Sequence, residues 1–170
     1  MPLTIRPATP ADLDLVISSF NSTLPFLASV GSQSQWGTTP FSERPDFQTK
    51  ITDTLAAAET YRTSATGPGV WAYVAESVEG DDVLPVGAVT VKDAWFPEYI
   101  APQPQFEGEV KGARNFLYLH VLVTNFEAGE ERRKGAGATL VQKVKELAAE
   151  LGREVVYVDC WAGNDGKLVA

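Results

Sequence analysis

The chain has 170 residues, a length that suits one domain, and its 44% hydrophobic content supports a packed core and excludes a disordered chain. No apolar run reaches the roughly 20 residues that span a bilayer, and the first residues lack a signal-peptide pattern. The net charge of −8 argues against a nucleic-acid partner, and the single cysteine, Cys160, fits a reducing, cytoplasmic setting.

The first part of the chain predicts a strand followed by a helix. Residues 3–6 have strand character, and Thr9 with Asp12 forms a capping box before a run of apolar residues at helical spacing that continues to Phe20. Residues 21–40 contain several glycines and prolines, which predict an irregular connection.

A second helix and a hairpin are expected next. Ser42 is expected to cap the helix, which ends near Thr63. Residues 70–76 and 84–92 have strand character, and the turn at 80–82 joins them as a β-hairpin.

The second half predicts a long loop and then a strand–helix–strand unit. Residues 93–112 are rich in proline and aromatic side chains, as functional loops often are. Residues 115–123 predict a strand buried on both faces, 135–151 an amphipathic helix ended by Gly152, and 154–160 a last strand. This order predicts a mixed α/β domain around one sheet.

One motif carries chemistry, at the junction between that buried strand and that helix. The pattern is Arg132-x-x-Gly135-x-Gly137-Ala138. A helix N-terminus offers unpaired N–H groups and a partial positive charge, and glycines let an anion approach the backbone. The pattern predicts an anion site suited to a pyrophosphate, although a Gly-x-Gly alone also fits a tight turn before a helix. It matches neither a dinucleotide fingerprint nor a P-loop.

This motif resembles the Arg/Gln-x-x-Gly-x-Gly/Ala signature of the GNAT acetyltransferases. Residues 4–12, 86–91 and 157–162 resemble the opening strand and helix, the central strands and the splayed strand of that superfamily. The resemblance implies a mixed, mostly antiparallel sheet flanked by helices and splayed at the cofactor site. It also implies acetyl-CoA as the acetyl donor.

The same resemblance implies where the donor lies. Main-chain groups of one strand segment would pair with the pantetheine arm, and amides around the glycine loop would hold the pyrophosphate. The implied cofactor-binding residues are Val121, Leu122, Val123, Arg132, Arg133, Lys134, Gly135, Ala136, Gly137, Ala138 and Asn164.

His120 and Tyr118 are the candidate catalytic residues. His120 is the only histidine, and the intrinsic pKa of imidazole suits proton transfer near neutrality. Tyr118 is expected on the same strand face, because side chains alternate, and it would orient water or substrate. Both side chains also fit a purely packing role.

Three loop aromatics, Trp36, Trp95 and Tyr99, are candidate substrate-binding residues. The function expected is acetyl transfer to the primary amine of a small molecule by direct attack. Acetylation of a protein N-terminus or lysine is the alternative among enzymes, and a non-catalytic CoA-binding or regulatory module is the alternative of another class. One histidine and one cysteine leave no metal-ligand spacing, so no metal is expected.

The C-terminal end differs from the pattern of the superfamily. The sequence ends at Ala170, before the tyrosine and the final strands that the resemblance implies. A single GNAT-like domain over residues 1–170, incomplete at its C-terminus, is therefore expected. Truncation, completion by another chain and degeneration of the enzyme all fit. Unpaired sheet edges favour association, so a homodimer is expected.

Overall fold

A five-stranded sheet forms the centre of the computed structural model, which describes residues 1–160, 163 and 165. The strands pair in chain order, and only the last pair is parallel. They are β1 (Leu3–Pro7), β2 (Val70–Glu79), β3 (Asp82–Asp93), β4 (Phe116–Thr124) and β5 (Val155–Val158). The mixed, mostly antiparallel sheet expected from the sequence is confirmed.

Helices cover both faces of this sheet. They are α1 (Leu13–Ser29), α2 (Pro45–Ser64), α3 (Glu107–Gly112), α4 (Glu130–Arg133) and α5 (Ala136–Glu150). Helices α1 and α2 pack on one face and α5 on the other, so the domain has two hydrophobic cores, one on each side of the sheet. Within the described residues, no helix is long and apolar enough to cross a membrane.

The predicted capping box precedes α1 and is tied to the sheet. The Thr9 amide donates to the Asp12 carboxylate (2.7 Å), and a 3-10 turn over Pro10–Asp12 leads into the helix. Arg6 donates to both Asp12 oxygens (2.7 and 2.8 Å) and to Glu76 (2.7 Å). The bond from Arg6 lowers the pKa of Asp12 below its ordinary value.

Helix α1 extends further than predicted. The segment expected to be irregular from residue 21 continues as helix to Ser29, with Pro25 inside it. A proline removes one helical hydrogen bond. Packing outweighs that loss: Leu27 is buried, and the Phe26 ring stacks on Phe126 with 5.0 Å between ring centroids.

The start of α2 also differs from the prediction. Ser42 lies in a 3-10 turn, Phe41–Glu43, and does not cap the helix; α2 begins at Pro45. Proline suits the first helical position because its missing N–H would have no partner there. The Ser42 hydroxyl instead accepts a bond from the Asn21 side chain (3.0 Å), which joins the turn to α1.

The segment between β3 and β4 is partly helical, although a loop was predicted over 93–112. It contains a 3-10 turn, Pro104–Phe106, and helix α3. Phe96 anchors it by stacking on Phe116 of β4, with 4.7 Å between ring centroids. This segment therefore lies against the β4–β5 end of the sheet.

Candidate functional site

Strand β4 parts from β5 halfway along its length. The last β4–β5 pair is Leu119 with Val158. At the same point the register between β3 and β4 shifts, because Thr90 pairs with Val121 and Val91 with Leu119, which leaves His120 as the extra residue of a β-bulge. The sheet therefore opens at His120.

Beyond the bulge, the edge of β4 that faced β5 has no partner strand among the described residues. The Asn125 amide donates to the Val86 carbonyl (2.8 Å), so residues 121, 123 and 125 turn their N–H and C=O groups towards β3. The alternation of an antiparallel ladder directs the corresponding groups of Leu122 towards the open side. Leu122 is 39% exposed, whereas Val121 and Val123 are buried.

The N-terminus of α5 lies at the far end of this open edge. Gly135 caps the helix with φ at +84°, a value that favours glycine. The first helical bond runs from the Thr139 amide to the Gly135 carbonyl (2.9 Å). The amides of residues 136–138 therefore have no acceptor inside the helix, and no acidic residue lies in its first turn. Such a terminus suits an anion.

The Arg132 guanidinium points away from these amides. It donates to the Ser77 hydroxyl (3.2 Å) and carbonyl (3.0 Å), and it pairs with Asp82 (2.5 Å). These contacts fasten α4 to the β2–β3 hairpin. The arginine of the motif is therefore engaged in holding the loop against the sheet.

Arg133 and Lys134 are the basic residues left beside the helix terminus. The Arg133 guanidinium lies over the Phe126 ring, 4.1 Å from its centroid, and its Nε is buried without a hydrogen-bond partner among the described residues. Lys134 is exposed. Of the other residues predicted to bind the cofactor, Asn164 lies outside the described residues.

His120 lies beneath a tryptophan at the opening. Its ring is 5.0 Å from that of Trp95, and its Nδ1 is 3.5 Å from the Thr90 hydroxyl. Burial lowers the pKa of His120 to about 4, and the nearby charge of Lys92 contributes. The imidazole is therefore neutral at pH 7. Tyr118 also contacts Trp95 (5.5 Å between ring centroids), so the two predicted catalytic side chains lie on the same face.

Tyr118 belongs to a hydrogen-bonded group around Asp159. Tyr118 Oη donates to Asp159 Oδ1, and Tyr99 Oη donates to Asp159 Oδ2 (3.0 Å). Burial and the neighbouring Asp159 raise the pKa of Tyr118, and the same causes raise that of Tyr99 to about 12. Both phenols therefore stay protonated near neutrality and act as donors to the carboxylate.

The three aromatic residues predicted to bind the substrate lie in two different parts of the structure. Trp95 and Tyr99 lie beside Tyr118, and the Lys92 ammonium is 4.0 Å from the centroid of the Trp95 ring. Trp36 packs instead against Phe20 (5.2 Å between ring centroids) in the core formed with α1 and α2. The structure therefore brings two of the three to the opening.

Two solved structures share the fold of this chain. PaiA N-acetyltransferase from Thermoplasma acidophilum, in complex with coenzyme A, superposes with a TM-score of 0.61 at 14% identity, over 99% of this chain and 84% of that chain. A GCN5-related N-acetyltransferase from Ralstonia eutropha JMP134 superposes with a TM-score of 0.58 at 16% identity, over 99% of this chain and 88% of that one. The chain has the GNAT fold. No family model matches it, and no curated protein matches its sequence.

Within this GNAT fold, sequence reasoning missed Asp159 as a site residue. It was assigned to the interior of a strand over 154–160, but β5 ends at Val158. Asp159 is thus the first residue past the last β4–β5 pair. The signal available in the sequence was an acidic residue near the end of a predicted strand. The pairing register of β4 and β5 is needed to show that the sheet parts next to this residue and that it lies beside Tyr118.

Proposed function

We propose that this chain is an N-acetyltransferase that transfers an acetyl group from acetyl-CoA to the primary amine of a small molecule. The observation that carries the proposal is the open edge of β4, which leads from the N-terminus of α5 to His120 on a GNAT fold. The coenzyme A bound by the Thermoplasma PaiA enzyme supports the choice of donor.

The donor's diphosphate would lie at the N-terminus of α5. The amides of residues 136–138, which have no acceptor inside the helix, and the side chains of Arg133 and Lys134 supply the donors and positive charge that such an anion needs. Arg132 acts indirectly, because its bonds to Ser77 hold the loop in place. The predicted role of Arg132 thus becomes a supporting one.

The pantetheine arm would lie along the open edge of β4. The outward N–H and C=O of Leu122 offer the pairing groups of a missing strand, and the flanking residues Val121 and Val123 hold that segment through β3. An arm bound there ends beside His120, where the sheet opens.

Acetyl-CoA would supply a thioester. Its carbonyl carbon would bond to the neutral amine nitrogen as the C–S bond breaks, and the proton that the nitrogen loses would pass to the departing sulfur. His120 is neutral, so its free ring nitrogen accepts a hydrogen bond from the amine and aims the nitrogen lone pair. A pKa of about 4 makes it a weak base, so positioning is its principal contribution. Tyr118, kept protonated, orients the acceptor through Asp159.

Two measurements test the proposal. Acetyl-CoA should raise the thermal unfolding midpoint, and a panel of primary amines should release free thiol from it. Stabilisation without thiol release would favour the non-catalytic CoA-binding module, and release only with peptides would favour a protein substrate. No stabilisation by acetyl-CoA or CoA would refute donor binding and the proposal with it.

A matched pair of variants localises the donor. Ala138→Glu places a negative charge at the third position of α5, where it should weaken CoA binding at least about tenfold by repelling the diphosphate. Ala149→Glu makes the same change at an exposed position near the other end of α5, roughly 16 Å away, and should leave CoA binding unchanged. Equal effects of the two variants would contradict the diphosphate placement.

The homodimer stays a prediction. In the described sheet β5 is an outer strand, and its Val155 and Val158 side chains are exposed, which favours pairing with a second copy. Light scattering coupled to size exclusion would give twice the 18.4 kDa chain mass if a dimer forms and the chain mass if it does not.

A further inference from the structure

A cavity of about 470 Å³ lies beside Tyr118, on the β4–β5 end of the sheet. Its walls are mainly apolar and aromatic, from Phe96, Ile100 and Val110 of the segment before β4 and from Tyr157 of β5. A volume of this size accommodates a small organic molecule. The described residues therefore offer space for a hydrophobic body next to the candidate catalytic residues.

The charged groups of this cavity are acidic. Asp159 and Glu109 are in its lining, and Glu109 accepts a hydrogen bond from Tyr157 (2.5 Å). Among the described residues, no lysine or arginine lines the cavity. A ligand that matches such walls is apolar over most of its surface and carries a positive charge.

The cavity lies across the bulge from the open edge of β4. Tyr118 precedes His120 by two residues, about 7 Å along a strand, whereas the open edge follows His120. Asp159 directly follows Val158, the partner of Leu119. The Asp159 carboxylate is close enough to interact electrostatically with the His120 ring. A molecule in the cavity and an acyl group at the end of the open edge would therefore meet at His120.

Asp159 is held in position by two hydrogen bonds and can accept more. Each of its oxygens accepts one phenolic hydrogen bond, from Tyr118 and from Tyr99. A carboxylate has about four acceptor positions, so two remain for a ligand. The side chain is exposed to the cavity side of the domain, where an ammonium group can reach it.

We infer that this cavity binds the acceptor and selects primary amines that have an apolar or aromatic body and no carboxylate. Asp159 binds the incoming ammonium group, which loses one proton to solvent and then presents its neutral nitrogen to His120. The inference rests on the proposed function and adds the substrate class to it. An amino acid would place its carboxylate in a cavity lined by Asp159 and Glu109, where the described part of the chain has no cation to pair with it. Amines that lack the carboxylate avoid that repulsion.

Binding is tested with matched probes and does not depend on turnover. Calorimetry, with and without CoA, compares 2-phenylethylamine with phenylalanine, which has the same body and an added carboxylate, and with 2-phenylethanol, which lacks the charge. The amine should bind at least about tenfold more tightly than either. Equal binding of phenylalanine, or of the alcohol, would overturn the inference.

Variants assign the ammonium site. Asp159→Asn should raise KM for the amine about 30-fold and leave KM for acetyl-CoA unchanged, because the change removes the charge that binds the acceptor. Glu109→Gln, the other carboxylate of the cavity, is the matched control and should have a smaller effect. An unchanged KM for the amine in Asp159→Asn, or equal effects of the two variants, would refute the role of Asp159.

A second variant tests the charge selection even if Asp159→Asn fails to fold. Val110→Lys adds a cation to the wall of the cavity and leaves Asp159 and its tyrosine partners in place. It should weaken binding of 2-phenylethylamine and strengthen that of phenylalanine, and a result in the opposite direction would refute the charge selection. Failure of acetyl-CoA to bind would refute the proposed function, whereas turnover without this amine preference would refute only the inference.

Discussion

Replacing Arg132 with alanine should reduce stability more than cofactor binding. The arginine side chain is 16% exposed and bonds to Ser77, which is fully buried. Its removal leaves the Ser77 carbonyl and hydroxyl without these donors, at about 1–3 kcal/mol, and the exposed pair with Asp82 adds about 0–1 kcal/mol. Arg132→Ala should therefore lower the free energy of unfolding by about 1–4 kcal/mol.

The assay combines urea unfolding with calorimetric titration of CoA. Arg132→Ala should weaken CoA binding less than tenfold, whereas the double variant Arg133→Ala/Lys134→Ala should weaken it more than tenfold with little loss of stability. Arg132→Lys keeps the charge but loses the planar set of N–H donors of the guanidinium. Its stability should lie between those of the wild type and Arg132→Ala. A variant Arg132→Ala of unchanged stability that binds CoA a hundredfold more weakly would refute this division of roles.

Three further predictions concern stability. Gly87→Ala places a Cβ 2.8 Å from the Val123 carbonyl and should cost about 1–3 kcal/mol, measured by urea unfolding. The pKa of His120 is about 4 in the folded protein and 6.5 in the unfolded chain. The stability that depends on the neutral imidazole is therefore fully present above pH 6.5. The free energy of unfolding should fall by up to about 3 kcal/mol as the pH drops towards 4, relative to the variant His120→Gln. Asp12→Asn breaks the bidentate pair with Arg6 and should cost about 2 kcal/mol, seen as a fall of roughly 4–8 °C in Tm.

Each of these has a control and an opposing result. Gly108→Ala, at a position in α3 with open space around it, should keep or slightly raise the stability, and a loss equal to that of Gly87→Ala would contradict the steric reason. Parallel pH curves for the wild type and His120→Gln would show that the imidazole is not buried in its neutral form. An unchanged Tm in Asp12→Asn would mean that the Arg6 pair contributes no stability.

The sequence predicts the parts of the fold that local patterns determine. The capping box of Thr9 and Asp12 and the strand–glycine–helix junction at Gly135 were found in advance, because caps and hydrophobic periodicity act over a few residues. The end of α1 was wrong, because packing of Leu27 and Phe26 outweighs the local effect of Pro25. The cap of α2 was wrong because Pro45 starts that helix.

The candidate site depends more on pairing between strands, which local patterns do not report. His120 was chosen by residue type, but its bulge follows from the register with β3. Asp159 was missed because its position depends on where β5 stops pairing. The direction of Arg132 could not be read from its motif, because its partners Ser77 and Asp82 lie about 50 residues earlier in the chain.

The bulge at His120 also constrains how the length of this strand can change. Leu117 and Leu119 belong to the core under α5, whereas Val121 and Val123 belong to the core under α1 and α2. With strict alternation these four side chains would all face one side, so the extra residue is what divides them between the two cores. Substitution at position 120 changes one side chain. Deletion of that residue would move the side chains of half of the strand to the opposite face of the sheet. Insertion or deletion of a residue here should therefore be more disruptive than a substitution of His120.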